Sequence, residues 1–138
     1  MEGALLGARV LSVVDDDTSV RIATGRLIRS VGFTVETFTS GEEFLHLGRL
    51  QETSRLVVDV HMPGMNGLQL QSHLAAAGYL IPIIFITAIA DETIRTLALR
   101  AGAMDFLYKP FRDEALLSAI DLALRVGDGE DSLVSHGD

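Results

Sequence analysis

Short apolar runs rich in Val and Ile alternate with segments of helical spacing, and this alternation limits the fold more than any other feature of the chain. The runs are Arg9–Val14, Phe33–Phe38, Arg55–Val60, Ile81–Ile86 and Asp105–Tyr108. The first, third and fourth are almost continuously apolar, which is typical of strands buried on both faces. The sequence therefore predicts five strands, with burial on both faces for those three.

Helical segments are predicted between and after these strands. They span Asp17–Val31, Gly41–Leu47, Asn66–Ala77, Asp91–Ala101 and Arg112–Val126. Most begin at Asp or Asn, or end just before Gly, which are the usual start and stop signals of a helix. In the first segment Val20, Ala23, Leu27 and Val31 form one apolar stripe. Strict alternation predicts an α/β fold with a parallel, doubly wound sheet, because right-handed crossovers place helices on both faces.

Composition and charge exclude several classes of function. The chain has no Cys, which excludes a disulfide framework and a thiolate metal site. A net charge of −8 argues against direct nucleic-acid contact by this domain, since phosphate contacts need Lys and Arg. The start MEGALLGA lacks the basic region of a signal peptide, and YLIPIIFITAIA is too short to span a bilayer. We therefore expect a cytoplasmic protein without membrane contact.

The length of 138 residues predicts a single domain, which we place at residues 9–126. Residues 1–8 are interpreted as an N-terminal extension. Residues 127–138, GDGEDSLVSHGD, have few large apolar side chains and several acids. This composition is typical of a flexible tail or the stub of a linker.

The ends of the predicted strands carry the polar residues that point to a function. Ligands of open parallel sheets bind at the carboxyl ends of the strands. The first strand ends in Asp15, Asp16 and Asp17, and the third delivers Asp59. The fourth and fifth deliver Thr87 and Lys109, whereas the second offers no comparable charged group, as expected for a strand at the sheet edge. Carboxylates, one hydroxyl and one ammonium are thus predicted to converge.

This combination of groups suits phosphoryl chemistry on a metal. Neighbouring strands lie about 4.8 Å apart, so their terminal Asp side chains can share one hard cation. Mg²⁺ takes carboxylate and water ligands, and a carboxylate beside it can act as a nucleophile toward phosphorus. A Lys ammonium and a Thr hydroxyl can bind phosphoryl oxygens. We therefore expect Mg²⁺ to offset the repulsion among the acids and to raise the thermal stability.

Four sequence motifs resemble those of response-regulator receiver domains of the CheY-like superfamily. They are VVDDD, LVVDVHMPGMNG, FITA and AGAMDFLYKPF, which resemble the acidic pair, the phosphoacceptor, the threonine and the lysine-proline motifs. The resemblance covers Arg9 to Val126, and TFTSGEEFL makes the FixJ-type branch the most similar. It implies a flavodoxin-like (βα)5 sandwich with strand order 2-1-3-4-5.

The resemblance also implies a role for each site residue. Asp59 is the phosphorylated residue, and Asp15, Asp16, Asp59 and the main-chain carbonyl of His61 are the expected Mg²⁺ ligands. The phosphoryl group is bound by Thr87 and Lys109. Phe106 matches the aromatic switch position, where it turns inward behind Thr87 after phosphorylation. The Lys109–Pro110 peptide bond is expected to be cis.

The implied partner is a sensor histidine kinase whose phosphohistidine is attacked by Asp59. The face formed by the fourth helix, the fifth strand and the fifth helix then changes, for a homodimer or an output domain. The chain is expected to be a signalling receiver with intrinsic phosphotransfer and autodephosphorylation activity, and not a dedicated enzyme. It is either a single-domain regulator or one part of a longer regulator.

Several residues have a second interpretation that involves no reaction. Asp17 is expected to cap the first helix and not to bind the metal. Phe106 is either a static aromatic or a moving switch. For His61, either the carbonyl alone matters or the imidazole lies over the phosphoryl group. No metal site is proposed for the other histidines, which we expect at the surface: His46, His73 and His136.

Two alternative functions remain at this point. DDDTS also matches the D-x-D-x-S nucleophile motif of haloacid-dehalogenase-type phosphatases, which would use Asp15 as nucleophile and Asp17 as acid. The short chain, and an Asp59 left without a role, argue against that alternative. The other is a receiver-like interaction module that is not phosphorylated, and the complete set of site residues argues against it.

Overall fold

A computed structural model describes residues 10–122 of the chain. The strands are β1 (Val10–Val14), β2 (Val35–Phe38), β3 (Thr53–Asp59), β4 (Ile83–Thr87) and β5 (Asp105–Tyr108). The helices are α1 (Thr18–Ser30), α2 (Gly41–Leu47), α3 (Gly67–Ala76), α4 (Glu92–Arg100) and α5, described over 113–122. The predicted extension, the tail and the end of the fifth helix at Val126 lie outside the described residues.

The five strands form one parallel sheet in the order β2-β1-β3-β4-β5, as predicted. In the register, Val14 of β1 lies opposite both Phe38 of β2 and Val58 of β3. The carboxyl ends of β1 and β3 are therefore neighbours near the middle of the sheet. The second strand is at the edge, which confirms its predicted distance from the candidate site.

The core is divided by the sheet into two apolar layers. One layer includes Phe44 of α2, Leu70 of α3 and Ala98 of α4. The other layer includes Ile28 of α1 and Leu116 of α5. Helices thus cover both faces, which explains the almost continuous apolarity of the central strands.

The apolar stripe predicted for the first helix is wrong in part. Val20 and Leu27 pack partly buried against the core, but Ala23 and Val31 are exposed. The buried residues of α1 are instead Thr24, Gly25 and Ile28. A Cβ on Gly25 would lie 3.4 Å from the Cγ2 atom of Thr37, so the absence of a side chain lets α1 lie close to β2.

Side-chain caps begin α1 to α4, and the polar starts of the predicted helices indicated those of α1, α3 and α4. Asp17, Ser40, Asn66 and Asp91 each accept a hydrogen bond from a backbone N–H of the first turn. Asn66 and Gln69 form a reciprocal capping box at α3, the helix that follows the loop after β3. Within residues 10–122, no helix has the length and apolarity needed to cross a membrane.

We expect Gly67→Ala to destabilise the protein by about 1–3 kcal/mol, the usual cost of overpacking. A Cβ at this position would lie 2.8 Å from the carbonyl oxygen of Asp59 and 3.1 Å from the Cα atom of Val60. Both are backbone atoms at the end of β3 and cannot easily move. Urea unfolding measures the effect.

The matched control is Gly25→Ala in α1. Its Cβ would meet the flexible guanidinium of Arg29 at 3.3 Å, and Ala favours a helix interior by up to about 1 kcal/mol over Gly. We expect this variant to unfold within about 1 kcal/mol of the wild type. Equal stability of the two variants would contradict the close approach at Gly67.

Candidate functional site

Three carboxylates meet at the carboxyl ends of β1 and β3. One oxygen from each of Asp15, Asp16 and Asp59 lies within 4.8 Å of the others. Asp15 is fully buried and Asp59 is 5% exposed, whereas Asp16 faces solvent. The structure thus brings together three residues that span 44 positions of the sequence, from Asp15 to Asp59.

Backbone contacts fix the two buried carboxylates. The Oδ1 atom of Asp15 accepts a hydrogen bond from the N–H of Asp17 at 2.9 Å. The Oδ1 atom of Asp59 accepts one from the N–H of His61 at 3.3 Å. Each Asp is therefore held by the loop that follows its own strand, which leaves its Oδ2 atom directed at other groups.

Lys109 supplies the positive charge of the site. Its Nζ atom lies 3.1 Å from Oδ2 of Asp15 and 3.5 Å from Oδ2 of Asp59. The Lys109 backbone N–H donates to the carbonyl of Thr87 at 2.7 Å, which continues the pairing of β4 and β5 beyond the end of the strands. The Lys109–Pro110 bond is cis, as predicted.

The electrostatics show that one ammonium does not fully compensate the buried acids. Burial, together with the charge of Asp15, raises the pKa of Asp59 to about 6, against the lowering effects of Lys109 and the His61 N–H. Burial by itself lowers the pKa of Lys109, but hydrogen bonding and attraction to Asp15 and Asp59 outweigh it and raise the pKa. A further cation would relieve the remaining repulsion.

The donor set fits a hard divalent cation. All three side chains offer carboxylate oxygens, and the main-chain carbonyls of the adjoining loop are of the same hard type. Mg²⁺ and Ca²⁺ prefer such oxygens, whereas Zn²⁺ sites usually include His or Cys. The three acids of this cluster are therefore suited to binding a metal ion.

Thr87 and Phe106 are buried beside the carboxylates, on β4 and β5. Thr87 is 1% exposed, and its Oγ1 atom accepts a hydrogen bond from the N–H of Ile89 at 3.1 Å. Phe106 is 6% exposed, and its ring packs edge-on against Tyr108 and tilted against Phe85. The ring of Phe106 is thus already turned inward while the Thr87 hydroxyl is bound to its own loop.

The remaining sequence predictions concern Asp17 and the histidines. The Oδ1 atom of Asp17 accepts from the N–H of Val20 at 3.1 Å, so its predicted role as a helix cap is confirmed. The side chains of His46, His61 and His73 are exposed. His136 lies outside the described residues.

Sequence reasoning missed Arg21. Its Nη1 atom donates to the main-chain carbonyl of Asp15 at 2.8 Å, and its Nη2 atom lies 3.4 Å from the hydroxyl of Thr18. Arg21 thereby joins the first turn of α1 to the end of β1. The available signal was an Arg one turn after the Asp17 cap, where the side chain can reach back toward the strand end.

Comparisons with known proteins agree on one family. The profile described as "Response regulator receiver domain" matches residues 11–121. The response regulator protein TodT of Pseudomonas putida is 44% identical over 119 residues, which cover 86% of this chain and 52% of TodT. The transcriptional regulatory protein FixJ of Azorhizobium caulinodans is 38% identical over 112 residues, which cover 81% of this chain and 53% of FixJ.

Solved structures show the same relationship. The response regulator StyR superposes with a TM-score of 0.82 at 43% identity, covering 94% of this chain and 66% of that one. The structure titled FixJ-N superposes with a TM-score of 0.77 at 34% identity, covering 85% of this chain and 94% of that one. The chain spans about half the length of the curated relatives it matches.

We expect Asp59→Asn to stabilise the metal-free protein at alkaline pH. The pKa of Asp59 is about 6 in the folded protein, against the ordinary value of 3.8 that applies to the unfolded chain. Between these two pH values the folded state therefore binds more protons than the unfolded state. The stability of the wild type therefore falls as the pH rises through this window, by about 3 kcal/mol. The Asn side chain does not ionise, so the variant does not lose stability in this way.

Urea unfolding in EDTA between pH 4 and pH 8 measures the difference, which should be largest above about pH 6 and small near pH 4. Asp17→Asn is the control, because Asn caps helices as well as Asp and this side chain is exposed. A stability difference for Asp59→Asn that does not change with pH would contradict the raised pKa.

Proposed function

The chain belongs to the response regulator receiver domain family of two-component systems, with FixJ-type relatives, and on this premise we propose that Asp59 accepts a phosphoryl group from a sensor histidine kinase. The observation that carries the proposal is the position of Asp59 at the end of β3, beside two further acids and 3.5 Å from the ammonium of Lys109. A buried carboxylate in this setting is a nucleophile placed next to charges that suit phosphoryl oxygens.

In the proposed reaction, a carboxylate oxygen of Asp59 attacks the phosphorus of a phosphohistidine. The new P–O bond forms as the P–N bond breaks, and the electron pair remains on the imidazole nitrogen that leaves. Asp59 must be ionised to attack, and with a pKa of about 6 it is mostly ionised near neutral pH. Lys109 Nζ, at 3.5 Å from Oδ2, offers a positive charge to an incoming phosphoryl oxygen.

Mg²⁺ is the proposed cofactor, with Asp15, Asp16, Asp59 and the carbonyl of His61 as ligands. When bound, it supplies positive charge that reduces the repulsion between the Asp59 carboxylate and the phosphoryl oxygens. The residues themselves contribute position, since Asp17 and His61 hold the two buried carboxylates through backbone N–H groups.

Thr87 and Phe106 are proposed to couple phosphorylation to the surface of α4, β5 and α5. The Thr87 hydroxyl, which now donates to the Ile89 carbonyl at 3.4 Å, is proposed to donate instead to a phosphoryl oxygen. Since Phe106 already lies inward, phosphorylation is proposed to favour this arrangement over an outward one, as a shift in population. The half-exposed Leu97 of α4 offers apolar surface for a homodimer or an output domain.

A kinase must approach the rim of the site, and a groove of about 460 Å³ opens there. It runs beside Lys109 between α1 and the loop after β5, and its lining includes Val20, Leu27 and Phe111. We propose that the kinase contacts this mostly apolar groove. We also propose that the protein acts in the cytoplasm. An output domain beyond the receiver is proposed from the relatives, because the matched segment makes up only about half of their length.

The phosphatase alternative is less compatible with these contacts. Its nucleophile would be Asp15, but this residue is fully buried, and its two oxygens face the Asp17 N–H and Lys109. Its acid would be Asp17, whose carboxylate caps α1. Asp59 has contacts of the same kind as Asp15, but it is 5% exposed against 0% for Asp15, and its oxygen lies farther from the ammonium, at 3.5 Å against 3.1 Å.

We expect acetyl phosphate with Mg²⁺ to add one phosphoryl group to the wild-type protein, and Asp59→Asn to prevent it. Intact-mass analysis follows the reaction, and peptide mapping locates the modified residue. Asp17→Asn is the control that should be labelled at the wild-type rate, because it preserves the cap. Labelling of Asp59→Asn at the wild-type rate would reject the assignment.

The same experiment separates the alternative functions. Hydrolysis that continues in Asp59→Asn and stops in Asp15→Asn would identify a phosphatase. No labelling of the wild type by acetyl phosphate or by a phosphorylated kinase would identify an unphosphorylated interaction module.

We expect Mg²⁺ to raise the melting temperature of the wild type. Binding at 10 to 100 times the Kd stabilises a protein by about 1–3 kcal/mol, because the folded state alone holds the ligands together. Asp16→Ala removes the exposed ligand and should lose most of this gain, while Asp17→Asn should keep it. Differential scanning fluorimetry with a magnesium titration is the measurement, and an unchanged wild-type melting temperature would contradict the proposed cofactor.

A further inference from the structure

The loop between β3 and α3, residues 60–66, is held by a carboxylate from a different helix. Glu42 lies in the first turn of α2, 23 positions before Met65 of the loop. We propose that Glu42 is a positioning residue, which holds this loop in the conformation that binds Mg²⁺ and lets Asp59 accept a phosphoryl group. This inference rests on the function proposed above.

The contact is a charge-assisted hydrogen bond to the main chain. The Oε2 atom of Glu42 accepts from the N–H of Met65 at 3.0 Å. Bonding of the carboxylate to its own N–H and to that of Met65 lowers the pKa of Glu42, so the side chain is ionised at neutral pH. Hydrogen bonds with an ionised acceptor are about twice as strong as neutral ones. The bond therefore ties the end of the loop, next to the Asn66 cap of α3, to α2.

Two glycines make room for this contact, one on each side. Gly64 has a φ of +74°, and a Cβ there would lie 2.7 Å from the Oε2 atom of Glu42. On the helix, a Cβ at Gly41 would lie 3.1 Å from the Sδ atom of Met65. Side chains at these positions would push the loop away from α2, so the packing and the hydrogen bond depend on the same close approach.

The loop leads directly from the phosphoacceptor. The N–H of His61 donates to Asp59 at 3.3 Å, and the N–H of Gly67 donates to the carbonyl of Val60 at 2.8 Å. Along the chain, the His61 carbonyl, a proposed metal ligand, lies between Asp59 and Met65, the residue that Glu42 binds. Release of Met65 would give the loop more conformations, and ordering them again would cost part of the binding free energy.

Glu43 provides a matched control in the same helical turn. It has the same charge, but its Oε1 atom accepts from the N–H and the hydroxyl of Thr39, at 2.6 Å and 3.0 Å. These contacts stabilise the start of α2 and do not involve the loop. A change in Glu43 therefore reports on the helix, whereas a change in Glu42 reports on the helix and the loop.

The experiment compares Glu42→Ala, Glu42→Gln and Glu43→Ala in the full chain. Hydrogen exchange of the Met65 amide tests the contact, calorimetry gives the Kd for Mg²⁺, and intact mass gives the rate of labelling by acetyl phosphate. For Glu42→Ala we expect faster Met65 exchange, and a Kd and a labelling rate that are each worse by about three- to tenfold, the effect of one lost hydrogen bond.

Glu42→Gln retains an oxygen that can accept from Met65, so it should recover most of the wild-type Kd and rate. Glu43→Ala should stay within about twofold of the wild type in both, even if its melting temperature falls. An unchanged Kd for Glu42→Ala would overturn the proposal. Equal weakening by Glu43→Ala would also overturn it, because the effect would then belong to the helix.

The readouts distinguish this proposal from the function on which it rests. Mg²⁺ binding that depends on Glu42, without labelling of the wild type, would reject the phosphoryl transfer and retain the positioning role. Labelling of Asp59 that is equally fast in Glu42→Ala would reject the positioning role and retain the transfer. A wild type that binds no Mg²⁺ would reject both the cofactor and the role of Glu42 toward it.

Discussion

Repulsion between two buried carboxylates is the interaction on which the rest of the site depends. Asp15 and Asp59 end neighbouring strands and share the ammonium of Lys109, at 3.1 Å and 3.5 Å. One positive charge lowers the repulsion without cancelling it, as the raised pKa of Asp59 indicates. The site therefore combines two buried carboxylates with negative charge that Lys109 does not fully compensate, and a divalent metal ion is suited to compensate it.

The surroundings of this pair hold it against its own repulsion. Backbone N–H groups fix one oxygen of each carboxylate, Arg21 bonds the Asp15 carbonyl, and Glu42 ties the loop that follows Asp59 to α2. These contacts come from the start of α1, from the loop after β3 and from α2, which all lie around the carboxyl end of the sheet. These contacts thus hold the metal-free site in place. Their contribution can be measured as a change in the free energy of Mg²⁺ binding.

Much of the fold was predictable because its signals are local. Strand burial, helix caps at Asp17 and Asn66, and the alternation of elements follow from short-range patterns, and the structure confirms them. The buried face of α1 was predicted only in part, because Thr24, Gly25 and Ile28 are buried where the apolar pattern indicated Ala23 and Val31. The inward Phe106 was left between two interpretations, since a sequence does not tell which rotamer an aromatic side chain adopts.

The sequence by itself determined the class of fold and the chemistry of the strand ends, because side-chain periodicity and helix caps act over a few residues. It also carried the motifs that identify the family. Only the tertiary structure decided that Lys109 lies between Asp15 and Asp59, and that Glu42 reaches the loop after β3. Those contacts depend on distances between elements far apart in the chain, which spacing along a sequence does not specify.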